Sequence, residues 1–103
     1  MPYALNATFT IKPGAREVFT FTGPPELDDN FAADLYWGKP SPTKDLKLTA
    51  IRPDGHTLVS DNDPNAAERV EDYAPLPLGV WTVIVENEGS DRVRCTLQAG
   101  FGN

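Results

Sequence analysis

Oxygen-bearing side chains gather in two short stretches of this chain, and one further acid opens a strand-like run. Glu26, Asp28, Asp29 and Asn30 make the first stretch, Asp61, Asn62, Asp63 and Asn65 the second, and Asp45 begins an alternating segment. Calcium takes six to eight oxygen ligands, and loops at one end of a domain can supply them jointly. Asp28, Asp29, Asp45, Asp61 and Asp63 are therefore the candidate metal ligands. No cofactor is required, calcium being the one candidate. The second stretch starts as an EF-hand loop does, with Asp72 at the twelfth place, but Ala66 stands where the sharp turn needs glycine. Asp and Asn in such loops also bond their own backbone, as turn residues do. Lys47 shares a strand face with Asp45 and can neutralise a carboxylate cluster in place of a bound cation.

Catalytic chemistry has little to stand on. There is no glycine-rich phosphate loop, no H-E-x-x-H, no C-x-x-C and no G-x-S-x-G. The one cysteine, Cys95, alternates in register with Val93 and Leu97, which reads as a core position. The one histidine, His56, lies beside a turn. The chain reads as no enzyme. Its aromatic residues divide by alternation: Trp37 and Trp81 fall on core faces, whereas Tyr36 and Tyr73 fall on opposite faces and form a candidate ligand surface.

These side chains need elements to hold them, and period-two alternation supplies those elements. Strands are expected over 3–12, 17–22, 31–37, 45–52, 56–60, 68–73, 80–86 and 92–99. The first two read as a hairpin closed by Pro13-Gly14-Ala15, and Pro53-Asp54-Gly55 marks a tight turn. The segment 74–79 reads as a crossing between sheets. Leu46, Leu48, Trp81, Val83, Val85, Val93, Cys95 and Leu97 should share one core. A single sheet of eight strands in 103 residues leaves one apolar face bare. The fold class is therefore an all-β, two-sheet antiparallel β-sandwich (jelly roll) of about eight strands, in a single domain over 1–103.

The net charge of −6 makes nucleic acid a poor partner, since a polyphosphate needs a basic stripe. No apolar run is long enough for a membrane helix, and no signal peptide is visible at the start of this chain.

The segment Phe31 to Trp37, a Pro/Ser loop, then Asp45-Leu46-Lys47-Leu48-Thr49-Ala50-Ile51-Arg52-Pro53-Asp54-Gly55 resembles an "L-x-W … DLDLxxxxPDG" signature. Asn65-Ala66-Ala67-Glu68-Arg69-Val70 is similar to "NNxExV", and Pro75 to Val85 to "P-x-x-G-x-W/Y-x-V-x-V". These patterns belong to the bacterial pre-peptidase C-terminal domain and the related P domain of subtilisin-like proprotein convertases, and the resemblance spans residues 31–99. It implies a jelly-roll accessory module, extracellular and fused or adjacent to a hydrolase, with calcium bound in some members. Lys47 departs from the second acidic position of the signature. The expected function is a non-catalytic module binding a protein or surface. The alternatives are a carbohydrate-binding module and a structural or assembly subunit without ligand.

Overall fold

The computed structural model describes residues 3–61 and 66–103. Eight strands follow one another: β1 (Tyr3–Ile11), β2 (Arg16–Gly23), β3 (Asn30–Tyr36), β4 (Leu46–Ile51), β5 (Thr57–Ser60), β6 (Ala67–Asp72), β7 (Gly79–Asn87) and β8 (Val93–Gly102). They form two four-stranded antiparallel sheets, ordered β1-β8-β3-β6 and β2-β7-β4-β5. Successive strands change sheet everywhere except at the β4–β5 hairpin, which gives the jelly-roll sandwich. Among the described residues no helix is long and apolar enough to cross a membrane.

The expected hairpin of the first two strands is not formed. β1 pairs with β8 and β2 with β7, in opposite sheets. Alternation encodes which face is buried, not which strand is the neighbour. Residues 12–15 instead turn a corner between the sheets, held by Gly14 N–H to Asn87 O (2.9 Å) and Asn87 N–H to Ala15 O (3.0 Å). At the β4–β5 turn Gly55 takes the positive φ (89°) that Pro53-Asp54-Gly55 leads one to expect. The segment after β6 crosses between sheets as read.

All eight expected core residues are buried between the sheets. Their centre is aromatic. Trp81, fully buried, stacks on Phe31 with centroids 4.7 Å apart and meets Phe101 edge-on at 5.4 Å. Phe101 lies near the C-terminal end of β8, beyond the expected strand end at residue 99. Its ring lies so close to Gly23 that a Cβ there would stand 2.2 Å from it, so the backbone at this point has to be glycine.

The jelly roll sorts its loops to two ends. One end collects the β1–β2 corner and the β3–β4, β5–β6 and β7–β8 connections. The other collects the β2–β3, β4–β5 and β6–β7 connections.

Candidate functional site

Asp45, Asp61 and Glu88 meet at the first end, each placing a carboxylate oxygen within 4.8 Å of the others. The pairing Leu46 to Asn87 sets the start of β4 beside the end of β7, and Glu88 N–H donates to the Asp45 carbonyl (2.8 Å). Asp61 follows Ser60, which pairs with Leu48 on the same sheet. Loss of hydration, then a hydrogen bond with Asp61 and the charges of Asp61 and Asp45, push the Glu88 carboxyl above its ordinary value of 4.5, while Lys47 pulls it down. Glu88 escapes a reading of the sequence because its turn signals nothing until the β4–β7 register is known.

Asp28 and Asp29 do not join this group. Gly23 pairs with Gly79, so the β2–β3 loop lies at the opposite end, the length of β7 away, or about 25 Å at ~3.3 Å per residue. There they close their own surroundings. Asp29 is buried and accepts the Glu26 N–H (3.2 Å), and Asp28 accepts from Asn103 (2.9 Å). Asp63 lies outside the described residues. The described donors offer three carboxylates toward the six to eight oxygens calcium takes, with Lys47 as an internal cation beside them.

The cluster has a pH consequence. Because the folded Glu88 pKa is raised, the stability linked to its protonated form is present below pH 4.5 and lost as pH rises through the folded value. Glu88→Gln should raise the melting temperature at pH 7 by about 2 °C, the scale of a surface charge interaction in a domain this size. The difference should close at pH 4, and millimolar calcium should move neither curve. Thermal melts across pH check this. A calcium-induced rise of several degrees, lost in Glu88→Gln, would show a working metal site instead.

The second constellation covers the outer face of the first sheet. Tyr36 on β3 is 43% exposed, and Tyr73, just past β6, is 64% exposed. Arg69 donates to both Asp34 oxygens and, through Nε, to Glu71 (2.9 Å), and the Tyr73 hydroxyl donates to Glu71 (2.7 Å). The Glu71 carboxylate keeps the Tyr73 phenol above its ordinary value, so it stays a neutral donor, and Arg69 holds Glu71 low. Cross-strand register lays out two polar rows, Asn6–Gln98–Asp34–Arg69 and Thr8–Thr96–Tyr36–Ala67. A cleft of about 370 Å³ opens beside Asp34, Tyr36, Ser60, Glu68 and Arg69. The two tyrosines stand about 20 Å apart along β6 at ~3.3 Å per residue.

Cys95 is buried, and burial pushes its thiol up to about 12, with the charge of Glu17 adding to the shift. His56 is exposed in the β4–β5 hairpin, in the other sheet. The two cannot meet as a nucleophile and its base. A more apolar cleft of about 340 Å³, lined by Ala4, Thr22, Gly23, Pro24, Pro25, Leu78 and Phe101, lies at the second end.

No family model and no curated protein sequence matches the chain. Solved structures do share its fold. A mitogen derived from Yersinia pseudotuberculosis is 20% identical with a TM-score of 0.60, over 93% of this chain and 83% of that one. A GH115 4-O-methyl-α-glucuronidase with specificity for decorated arabinogalactans is 7% identical with a TM-score of 0.54, over 93% of this chain and 14% of that one. This chain thus matches one part of that larger enzyme. At these identities the likeness is one of fold.

Proposed function

We propose that the chain is a non-catalytic binding module whose ligand is a glycan surface, taken on the outer face of the first sheet. The carrying observation is the pair Tyr36 and Tyr73, exposed at the two ends of a polar face with Asp34, Arg69 and Glu71 fixed between them. Sugars offer apolar ring faces and equatorial hydroxyls. Exposed phenol rings stack on the former, and ordered carboxylates, amides and guanidinium groups pair with the latter. A neutral polysaccharide suits a chain of net charge −6 better than an acidic one.

Several observations support a non-catalytic role. The Cys95 thiol is held far from ionisation and apart from His56. The close carboxylates Asp61 and Glu88 are both exposed, and neither cleft described above is lined by them. The resemblance to accessory modules of exported proteases, and the occurrence of this fold within a glucuronidase, support a place beside an extracellular hydrolase.

The test is titration calorimetry against arabinogalactan and a panel of neutral and acidic polysaccharides. Tyr36→Ala and Tyr73→Ala should each weaken binding about tenfold, or ~1.4 kcal/mol. Both should melt within about 2 °C of the parent chain, as exposed substitutions do. Absence of binding to every polysaccharide, or binding indifferent to both substitutions, would reject the reading.

A further inference from the structure

Every sheet edge is a row of backbone groups ready to pair with another strand, and soluble proteins blunt it with charge, proline, bulges or brevity. Three of the four edges here show such devices. β5 is four residues long, β6 carries Glu68, Arg69, Glu71 and Asp72, and β1 has a register irregularity between Tyr3 and Leu5. β2 has none over its central run. Its register with β7 is unbroken from Arg16 to Gly23, and Val18-Phe19-Thr20-Phe21-Thr22 has no charge and no proline.

β1 and β2 lie on the same side of the sandwich, where Phe9 and Phe19 meet at 5.3 Å. Phe9, Phe19 and Phe21 point toward the core yet stay partly exposed in the seam between these edges, and Val18 on the outer side is 52% exposed. From Ala4 to Ile11 and from Val18 to Gly23 there is no charged residue, in a chain whose net charge is −6.

We propose that this wall is a self-association surface, where β2 of a second copy pairs antiparallel with β2 and closes the aromatic seam. An antiparallel contact about a two-fold axis is self-complementary by construction. A two-fold at Thr20 sets Phe19 beside Phe21 of the second copy, Val18 beside Thr22, and Glu17 beside Gly23, so no like charges meet. The second copy is the occupant that the charge distribution selects. Two acidic chains repel over most approaches, and this uncharged wall removes that cost. Two adjoining edges and a narrow seam make a contact at the small end of protein interfaces, so association is micromolar.

Sedimentation velocity on the 103-residue chain tests this. The mass should double by about 100 μM, and Val18→Lys/Thr20→Lys should raise the dissociation constant at least tenfold. Both side chains are exposed, so the fold is kept. Val59→Lys, on the outer face of the same sheet but at its far edge, should leave the dimer intact. Hydrogen exchange on the unmodified chain reads the same contact without substitution: protection of β2 amides should rise with concentration while that of β5 does not. A monomer at every concentration overturns the proposal. So does a dimer that the β2 lysines leave intact or that Val59→Lys breaks.

Discussion

Trp81→Ala should cost about 3–5 kcal/mol of folding stability, the largest single loss expected in this chain, because it empties the centre of the core. Trp81 is fully buried, stacked on Phe31 and edge-on to Phe101. Its indole N–H also reaches the Gly23 and Pro77 carbonyls at 3.2 and 3.3 Å, and alanine leaves both without that donor. A loss of this size is a large share of the 5–15 kcal/mol that holds a domain together, and should lower the melting temperature by on the order of 20 °C. Trp81→Phe separates the causes. It keeps most of the stacking area and drops only the N–H, so it should cost about 1–2 kcal/mol. Urea unfolding of both variants checks the prediction. A Trp81→Ala loss below about 1 kcal/mol would mean that Phe31 and Phe101 collapse into the space, against the close packing seen around Gly23.

The same aromatic centre shows what period-two reading can reach. Trp81, Val83 and Val85 share one face of β7 while Val80, Thr82, Ile84 and Glu86 share the other, so their inward direction follows from the alternation even though Ile84 is buried too. The number of strands and the two-sheet sandwich follow as well, because eight alternating runs in a short chain need two packed sheets to cover their apolar faces. Strand partners do not follow. Ile11 and Phe19 point inward either from a hairpin or from a corner, and the deciding contacts run through Asn87, which is far away in sequence. The acid sites were legible by halves for the same reason. Asp45 and Asp61 could be picked by composition, yet Glu88 joins them only through the β4–β7 register, and that architecture sends Asp28 and Asp29 to the other end. Tyr36 was the more direct case, since it must point away from its neighbours Leu35 and Trp37, both buried.

The proposed glycan face and the proposed pairing edge differ in chemistry within one sandwich. The first sheet spends its outer surface on ordered polar groups: Thr8 and Thr96 share a hydroxyl contact (3.0 Å), and Arg69 ties β6 to β3 through Asp34. The second sheet's outer face sets the row Val18–Ile84–Thr49, with Ile84 buried between its neighbours, beside the charged row Arg16–Glu86–Lys47. Tyr36, Asp34, Arg69 and Glu71 of the proposed glycan face lie on β3 and β6, in the sheet opposite the β2 edge, so the proposed ligand and the proposed second copy would not compete for those residues.

Asn87→Ala should be the second costly change, about 2–4 kcal/mol, although it removes few atoms. The Asn87 side chain is 2% exposed and donates from one nitrogen to the Ile11 carbonyl (3.0 Å) and the Asp91 carbonyl (2.8 Å), while its oxygen accepts the Gly89 N–H (3.0 Å). Its backbone also bonds both ways with the β1–β2 corner. One residue thus fastens the end of β1, the corner and the β7–β8 turn, and it sets the direction in which Glu88 leaves the strand. Alanine takes the Asn87 donor from both the Ile11 and Asp91 carbonyls, and a buried acceptor that loses a donor costs more than the bond alone. Asn87→Asp is the sharper variant. The introduced carboxylate cannot donate, and it faces two carbonyl oxygens beside an acid cluster that already raises Glu88. Its folded pKa must then lie above the unfolded one, so the variant should lose stability as pH rises from 4 to 7. Asn87→Ala should show a smaller slope over the same range. Freeing the turn should also relax the carboxylates, so Glu88→Gln made on top of Asn87→Ala should no longer raise the melting temperature. Urea unfolding of the single and double variants at pH 4 and pH 7 measures all three effects. An Asn87→Ala cost under about 1 kcal/mol, or a Glu88→Gln gain that persists in its presence, would show that the turn holds its shape without this side chain.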